Sequence, residues 1–234
     1  MECKGLGASE KKRVVRKLVT KYKPCIFFIQ ETKLSVLDSE VFHKLGGMVL
    51  PRGIGVESIG TAVGLISLWN EDLFSVKACI SNNRCIILSG VLVKLNKEVV
   101  FCNVYAANNE SERKELCDYI LDSEAYFPIP WCISGDFNTV LDTSERRGGW
   151  GSRVSIRNFN SFILGAKVID IPLRGIPFTW SNHRVEESWA RLDWFLISPI
   201  MLSWFPNLSQ RGLPGSISDH NVIRIEEPHV DWGT

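Results

Sequence analysis

Residues Trp131–Asn138, with the sequence Trp-Cys-Ile-Ser-Gly-Asp-Phe-Asn, are the most informative stretch of the chain about its fold. The first four residues suit a short buried strand, and Gly135 permits a tight exit from it. The strand then delivers Asp136 and Asn138 to the rim of a sheet. Asp136 can orient or deprotonate an attacking water, and Asn138 can bind a phosphate oxygen. The alternative is a plain turn, since Gly, Asp and Asn are common turn residues.

Three further segments carry side chains of the same chemical kind: Gln30–Thr32, Arg191–Asp193 and Ser218–His220. Glu31 follows an apolar run and offers a hard oxygen ligand suited to Mg²⁺. His220 can bind a scissile phosphate, and Asp193 is a natural partner to fix its tautomer. Each segment alone has a structural explanation, such as a surface carboxylate or a structural Asp-His pair. Together they indicate a metal-assisted phosphoryl-transfer site.

Two aromatic residues are secondary candidates. Tyr105 ends the apolar run Val99–Tyr105 and can place its phenol against a phosphate, or it can be a tyrosine at the edge of the core. Trp180, within Phe178–Asn182, can stack on nucleic acid or belong to the core.

Apolar periodicity predicts an α/β sandwich of two sheets packed face to face with helices outside. We expect helices at Ser9–Tyr22, Leu37–Leu45, Glu110–Ser123 (capped by Ser111) and Ser155–Leu164, and a loop at Arg146–Gly151. We expect strands at Cys25–Ile29, Ala62–Trp69, Leu73–Ile80, Cys85–Leu95, Val99–Tyr105, Trp131–Ser134, Phe178–Ser181, Asp193–Ile197 and Val222–Ile225.

Length and composition favour one domain over residues 1–234. The chain has 45% hydrophobic residues and a net charge of only +1, so it lacks the global basic character of many nucleic-acid binders. Residues 1–34 nevertheless hold nine Lys or Arg and three Asp or Glu. Lys11, Lys12 and Arg13 belong either to a solvated helix face or to a phosphate-facing patch.

Cysteine usage and hydropathy predict the compartment. The seven cysteines show no paired C-x-x-C spacing and lie mostly in apolar runs, which favours reduced core residues in a reducing compartment. No apolar run approaches the roughly 18 residues of a membrane span. We therefore expect an intracellular protein without a membrane partner.

The ordered motifs resemble the endonuclease/exonuclease/phosphatase superfamily, and most closely the apurinic-type endonuclease domain of plant LINE-type (non-LTR) retrotransposons. The matching stretches are Lys4–Gly7, Lys23–Leu34, Asn103–Ala106, Gly135–Asn138, Phe178–Trp180, Arg191–Asp193 and Ser218–His220. The likeness covers nearly the whole chain.

The resemblance implies a four-layered, DNase I-like α/β sandwich with two mainly antiparallel sheets. It implies a phosphodiester hydrolase that uses Mg²⁺ or Mn²⁺ and nicks DNA. We expect a monomer in the nucleus, and the sequence gives no indication of a protein partner. The implied roles are metal ligation by Glu31, water activation by Asp136, phosphate binding by Asn138 and Tyr105, orientation of His220 by Asp193, and assistance to the metal or to His220 by Asp219.

One departure concerns the N-terminus. The family opens with a strand that ends in Trp-Asn, whereas here Glu2 stands where that Asn is expected. We therefore expect an N-terminally truncated domain, with Glu2 as a substitute metal ligand and unpaired edges beside the absent strand. Two other functions stay open: a catalytically degenerate remnant that at most binds nucleic acid, and a phosphatase of the same superfamily that acts on small phosphoesters.

Overall fold

The computed structural model describes residues 5–58, 64–149, 151–184, 186–213 and 218–228. The helices are α1 (Ser9–Tyr22), α2 (Ser39–Gly46), α3 (Glu110–Glu124), α4 (Arg153–Gly165) and α5 (Met201–Trp204). The strands are β1 (Ile26–Ile29), β2 (Arg52–Val56), β3 (Leu65–Trp69), β4 (Phe74–Ser81), β5 (Cys85–Leu92), β6 (Lys97–Tyr105), β7 (Trp131–Asp136), β8 (Arg146–Arg147), β9 (Ile169–Asp170), β10 (Leu173–Arg174), β11 (Trp180–Ser181), β12 (Trp189–Ala190), β13 (Asp193–Ile197), β14 (Ser209–Leu213) and β15 (Val222–Glu226).

The largest sheet has six strands in the order β4-β5-β6-β7-β13-β9. All neighbours in it are antiparallel except β6 and β7, which run parallel. Strand β6 is buried on both faces. Val99 and Phe101 point to one hydrophobic cluster, and Val100, Cys102 and Val104 point to another. This alternation explains why the stretch Val99–Cys102 of the strand is continuously apolar.

Two three-stranded sheets face this central sheet, in the orders β1-β3-β2 and β10-β14-β15. A third small sheet, β11-β12-β8, lies near the polar rim and supplies Trp180. Only the pair β10 and β14 is parallel in these smaller sheets.

Three hydrophobic clusters lie between four layers. Leu116 of α3 and Phe159 of α4 pack on one face of the central sheet. Phe28 of β1 packs against its other face. Val15 of α1 and Leu45 of α2 cover the outside of the sheet that contains β1. The predicted α/β sandwich, with mainly antiparallel sheets and helices outside, is confirmed.

The edges of β1 and β15 line one apolar groove. Within the described residues each of these strands pairs on one side only, with β3 and β14 respectively. The groove between them has a volume of about 290 Å³ and is lined by apolar side chains such as Phe28 and Phe195. Glu2 lies outside the described residues.

Two local predictions are wrong. The N-cap of α3 is Asn109, whose side chain accepts a hydrogen bond from the Glu112 N–H, so Ser111 lies inside the first turn. Asn and Ser are equally good caps, so residue type could not separate the two positions. The segment predicted as a loop from Arg146 contains β8, because Arg146 and Arg147 pair with β12. Across the described residues, no helix has the length and apolarity that a bilayer span requires.

Arg191 anchors the loop after β7 to the central sheet. Its guanidinium donates to Asp170 at 2.9 and 2.5 Å and to Glu145 at 3.3 Å. It lies 3.9 Å from the centre of the Trp194 ring and is 6% exposed. Glu145 in turn accepts from the backbone N–H of Leu141 at 2.8 Å. One buried cation therefore fixes a loop that borders the polar rim.

Replacing Arg191 by Ala leaves two partly buried carboxylates without their cation. We expect this to lower the free energy of unfolding by about 3–5 kcal/mol, as for other broken buried ion pairs. Denaturant unfolding of both proteins measures the loss. The matched control is Arg52→Ala, which breaks the exposed Arg52–Glu71 pair and should change little. Equal losses in the two variants would contradict a structural role for the Arg191 network.

Candidate active site

Strand register brings three of the predicted site residues to one edge of the central sheet. Tyr105 at the end of β6 is the register partner of Asp136 at the end of the parallel strand β7. Asp136 is also the partner of Asp193, the first residue of the antiparallel strand β13. Side chains that are register partners on neighbouring strands emerge on the same side of a sheet. The three residues are therefore neighbours although they lie far apart in the sequence.

Glu31 reaches this edge from the facing sheet, just after β1. Its Oε1 accepts a hydrogen bond from the Tyr105 hydroxyl at 2.6 Å. Its Oε2 is buried and has no hydrogen-bond partner within the described part of the chain. Glu31 also has a positive φ of 52°, which is uncommon for a residue with a side chain. Such backbone conformations concentrate at functional sites.

Asp136 is fixed by its own turn. Its Oδ1 accepts from the Asn138 backbone N–H at 2.7 Å, and its Oδ2 accepts from the Asn138 amide at 3.1 Å. That amide also donates to the Ala106 carbonyl at 2.8 Å. Gly135 allows this close approach, because its φ is 145° and a Cβ there would lie 1.9 Å from the Val104 carbonyl oxygen.

Burial changes the acidity of Asp136, which is 1% exposed. Loss of solvation raises its pKa from 3.8 to about 7. The negative charges of Asp193 and Glu31 also raise this pKa, while His220 and the Asn138 N–H lower it. The carboxyl group can therefore exchange a proton near neutral pH, as a general base requires.

His220 and Asp193 form a buried pair. Their Nδ1 and Oδ2 atoms lie 2.8 Å apart, and each residue is 4% exposed. The opposite ring nitrogen, Nε2, lies 4.0 Å from Asp136 Oδ2. Asp193 thus fixes the orientation of the imidazole and leaves Nε2 directed toward Asp136.

Thr179 connects the segments that carry this pair. Its hydroxyl oxygen accepts from the backbone N–H groups of Leu192 and Asp193 at 2.9 and 3.1 Å. Its carbonyl accepts from the Asn221 N–H at 2.7 Å. The Phe178–Ser181 segment therefore lies between the two segments that supply Asp193 and His220 and is hydrogen-bonded to both.

A cleft of about 430 Å³ unites most of the predicted residues. Its predicted lining residues are Glu31, Tyr105, Asp136, Asn138, Trp180, Asp219 and His220. Asp193 does not line this cleft and lies behind His220. The structure does not bring Lys11, Lys12 or Arg13 to the cleft, because α1 packs on α2 at the outer face of the smaller sheet. Glu2 lies outside the described residues here too.

Sequence reasoning missed two basic residues of the cleft, Arg113 and Arg146. Arg113 donates to the carbonyls of Ala107 and Asn108 at 3.1 and 2.6 Å and to the Ser155 hydroxyl at 2.6 Å. The Nε of Arg146 is buried and has no hydrogen-bond partner among the described residues. The only sequence signal for their location was proximity to predicted site residues. Arg113 lies in the helix after Tyr105, and Arg146 lies ten residues after Asp136.

The donor set of the cleft fits a hard divalent cation. The buried, unpartnered Oε2 of Glu31 is the kind of oxygen ligand that Mg²⁺ accepts, and Asp219 offers a second carboxylate on the same cleft. Among the described residues, no three His, Cys, Asp or Glu side chains come close enough to hold a metal by themselves. Mg²⁺ commonly binds through one or two carboxylates and keeps several waters.

The raised pKa of Asp136 predicts a specific pH dependence of stability. Between about pH 4 and pH 7 the folded state holds a proton that the unfolded chain has lost. The free energy of unfolding of the wild type, relative to Asp136→Asn, should therefore fall as the pH rises, by at most about 1.4 kcal/mol per pH unit. Denaturant unfolding of both proteins in EDTA at pH 5 and pH 8 measures this. A difference that is the same at both pH values would contradict the raised pKa.

Three comparisons place the chain among known proteins. A family model described as "Endonuclease/Exonuclease/phosphatase family" matches residues 2–220. A search of curated proteins found no match.

Solved structures with a similar fold include the AP endonuclease LMAP from Leishmania major, at a TM-score of 0.75 and 16% identity over 96% of this chain and 85% of that one. The endonuclease domain of TRAS1, a telomere-specific non-LTR retrotransposon, aligns at a TM-score of 0.71 and 14% identity over 97% of this chain and 96% of that one. The mannosyl-6-phosphatase Bt3783 of Bacteroides thetaiotaomicron aligns at a TM-score of 0.64 and 16% identity over 95% of this chain and 91% of that one. At these identities the likeness concerns the fold alone. Because the family model covers most of the sequence, the chain belongs to the endonuclease/exonuclease/phosphatase family.

Proposed function

We propose that this protein is a divalent-metal-dependent phosphodiester hydrolase that nicks DNA. The observation that carries the proposal is the convergence of Glu31, Tyr105, Asp136, Asn138 and the Asp193–His220 pair at one end of the sandwich. These residues come from segments spread over the whole chain. A fold that only had to be stable would gain nothing from burying so many carboxylates together, because burial of charge is unfavourable.

Asp136 is the proposed general base. Its pKa of about 7 lets it take a proton from water at neutral pH, and its turn with Asn138 holds the carboxylate in one orientation. The resulting hydroxide attacks the phosphorus atom and displaces the leaving oxygen of the phosphodiester. In this role Asn138 positions Asp136 through its backbone N–H and its amide N–H.

His220 is the proposed stabiliser of charge on the phosphate. Asp193 orients its ring, and Nε2 lies in the cleft 4.0 Å from Asp136 Oδ2, beside the proposed base. A protonated imidazole donates to the phosphate oxygen as negative charge develops. The Tyr105 hydroxyl donates to Glu31, and its phenol lies in the cleft at the same edge of the central sheet.

Glu31 and Asp219 would hold the cation, which we propose to be Mg²⁺ or Mn²⁺. When bound, such an ion supplies positive charge beside the scissile phosphate and stabilises the leaving oxygen. The Tyr105 hydrogen bond leaves Oε2 of Glu31 as the available ligand atom.

The two cleft arginines support a polymeric phosphate substrate. The unpartnered Nε of Arg146 can donate to a phosphate that flanks the scissile one, and Arg113 adds a second positive charge. We propose DNA as this substrate, and therefore the nucleus as the place of action. We also propose that the protein acts as a monomer with a single domain. The fold shared with the TRAS1 endonuclease domain supports our proposal that the chain derives from a LINE-type retrotransposon, of the plant type that the motifs resemble.

Replacing Asp136 by Asn should lower the nicking of supercoiled plasmid in Mg²⁺ by about 10²–10⁴-fold, because the general base is lost. Agarose gels measure the relaxed product over time, and EDTA should remove it from the wild type. The matched control is Asp118→Asn, which removes an exposed carboxylate on α3 and should leave nicking unchanged.

Two outcomes contradict the proposal. Nicking by Asp136→Asn at the wild-type rate would exclude Asp136 as the base. A folded wild type that yields no product in Mg²⁺ or Mn²⁺ would favour the catalytically degenerate remnant.

The second candidate function is that of a phosphatase acting on small phosphoesters, which the fold shared with the Bacteroides phosphatase supports. Arg146→Gln separates the two. For a nuclease, losing this contact to a flanking phosphate should raise KM on DNA several-fold, and by a smaller factor at higher salt because the variant neutralises one phosphate fewer. Mannose 6-phosphate should be a poor substrate for both proteins. Efficient turnover of mannose 6-phosphate, unaffected by Arg146→Gln, would favour the phosphatase.

A further inference from the structure

Trp180 is held in a fixed position at the wall of the cleft. Its strand β11 pairs with Ala190 of β12 on one side, and Trp180 forms an isolated bridge with His220 on the other. The centres of the indole and imidazole rings lie 6.5 Å apart, with a tilt of 60° between the rings. The backbone of Trp180 is thus attached directly to the segment that carries His220.

The indole N–H points to a carboxylate of the same cleft. Trp180 Nε1 donates to Asp219 Oδ2 at 3.1 Å. The other oxygen of Asp219, Oδ1, accepts from the Ser218 hydroxyl at 3.2 Å. The Asp219 carbonyl also accepts from the Ser181 N–H at 3.0 Å, so strand β11 holds both the backbone and the side chain of Asp219.

This hydrogen bond depends on the indole N–H of Trp180. Tryptophan has a single donor and no acceptor, and an aromatic side chain without an N–H could fill the same space but could not orient the carboxylate. A hydrogen bond from a neutral donor to a carboxylate is stronger than one between two neutral groups. Residues that hydrogen-bond to a metal ligand and orient it lower activity when they are removed.

We infer that Trp180 is a positioning residue for Asp219, acting through its indole N–H and not through stacking on nucleic acid. The inference rests on the proposed function, in which Asp219 assists the cation or His220. Fixing Asp219 in advance avoids the cost of ordering it when substrate binds.

The hydrogen bond itself is tested without metal, substrate or activity. In protein labelled with ¹⁵N-tryptophan, the eight indoles give separate N–H signals, and the one missing in Trp180→Phe belongs to Trp180. We expect this signal to exchange slowly with solvent, and to move and exchange faster in Asp219→Ala. A Trp180 signal that Asp219→Ala leaves unchanged overturns the inference.

Kinetics on plasmid DNA test the positioning role. Trp180→Phe keeps the aromatic surface and should lower kcat about 10-fold with KM within about twofold. In Asp219→Ala the same change should have little further effect, because the two residues act as one unit. The matched control, Trp189→Phe, alters a tryptophan of β12 that packs on Arg147 and does not line the cleft. It should keep the wild-type kcat.

The possible results separate this inference from the proposed function. A wild-type kcat in Trp180→Phe, or equal losses with and without Asp219, overturns the positioning role while nicking by the wild type stands. A higher KM with unchanged kcat would assign Trp180 to stacking and also overturns it. If the folded wild type does not nick at all, the proposed function fails and the catalytic part of the inference fails with it. The indole signal still decides whether Trp180 holds Asp219.

Discussion

The register between β6, β7 and β13 is the constraint on which the rest of the site depends. It aligns Tyr105, Asp136 and Asp193 across three neighbouring strands. Because side chains alternate along a strand, a shift of one residue would turn every side chain of a strand to the opposite face. Both faces of β6 are buried, so such a shift would also disrupt the packing of Val100 and Phe101. The hydrophobic core and the polar edge therefore enforce the same register.

The site combines features that work against stability. Asp136, Asp193 and His220 are almost fully buried, and Glu31 and Asn138 have positive φ angles. Burial makes ionisation of Asp136 unfavourable, which is the cause of its raised pKa. Such costs are expected where a protein keeps reactive groups ready for chemistry. The large core on both sides of the central sheet makes them tolerable.

Most of the site residues are held in place by hydrogen bonds from other residues, some of which do not line the cleft. Tyr105 holds Glu31, Thr179 fixes the backbone of Asp193, and Asp193 orients His220. Arg191 holds the loop from which Arg146 enters the cleft. These contacts link segments that are far apart in the sequence, so the geometry of the site is a property of the whole sandwich.

The sequence by itself determined five of the six strands of the central sheet and the residues at their ends, but it did not predict β2 or β14. Periodicity identified these central strands, and Gly135 with Asp136 and Asn138 marked a sharp turn, because these signals are local. Local signals could not choose between Ser111 and Asn109 as a cap, nor detect the short pairing of Arg146 with β12. They could not predict where Lys11, Lys12 and Arg13 lie relative to the cleft. The packing of α1 on α2 keeps these residues away from it. Only the tertiary structure decided that Arg113 and Arg146 enter the cleft and that the Trp180 N–H meets Asp219, because those contacts depend on strand order and register between distant segments.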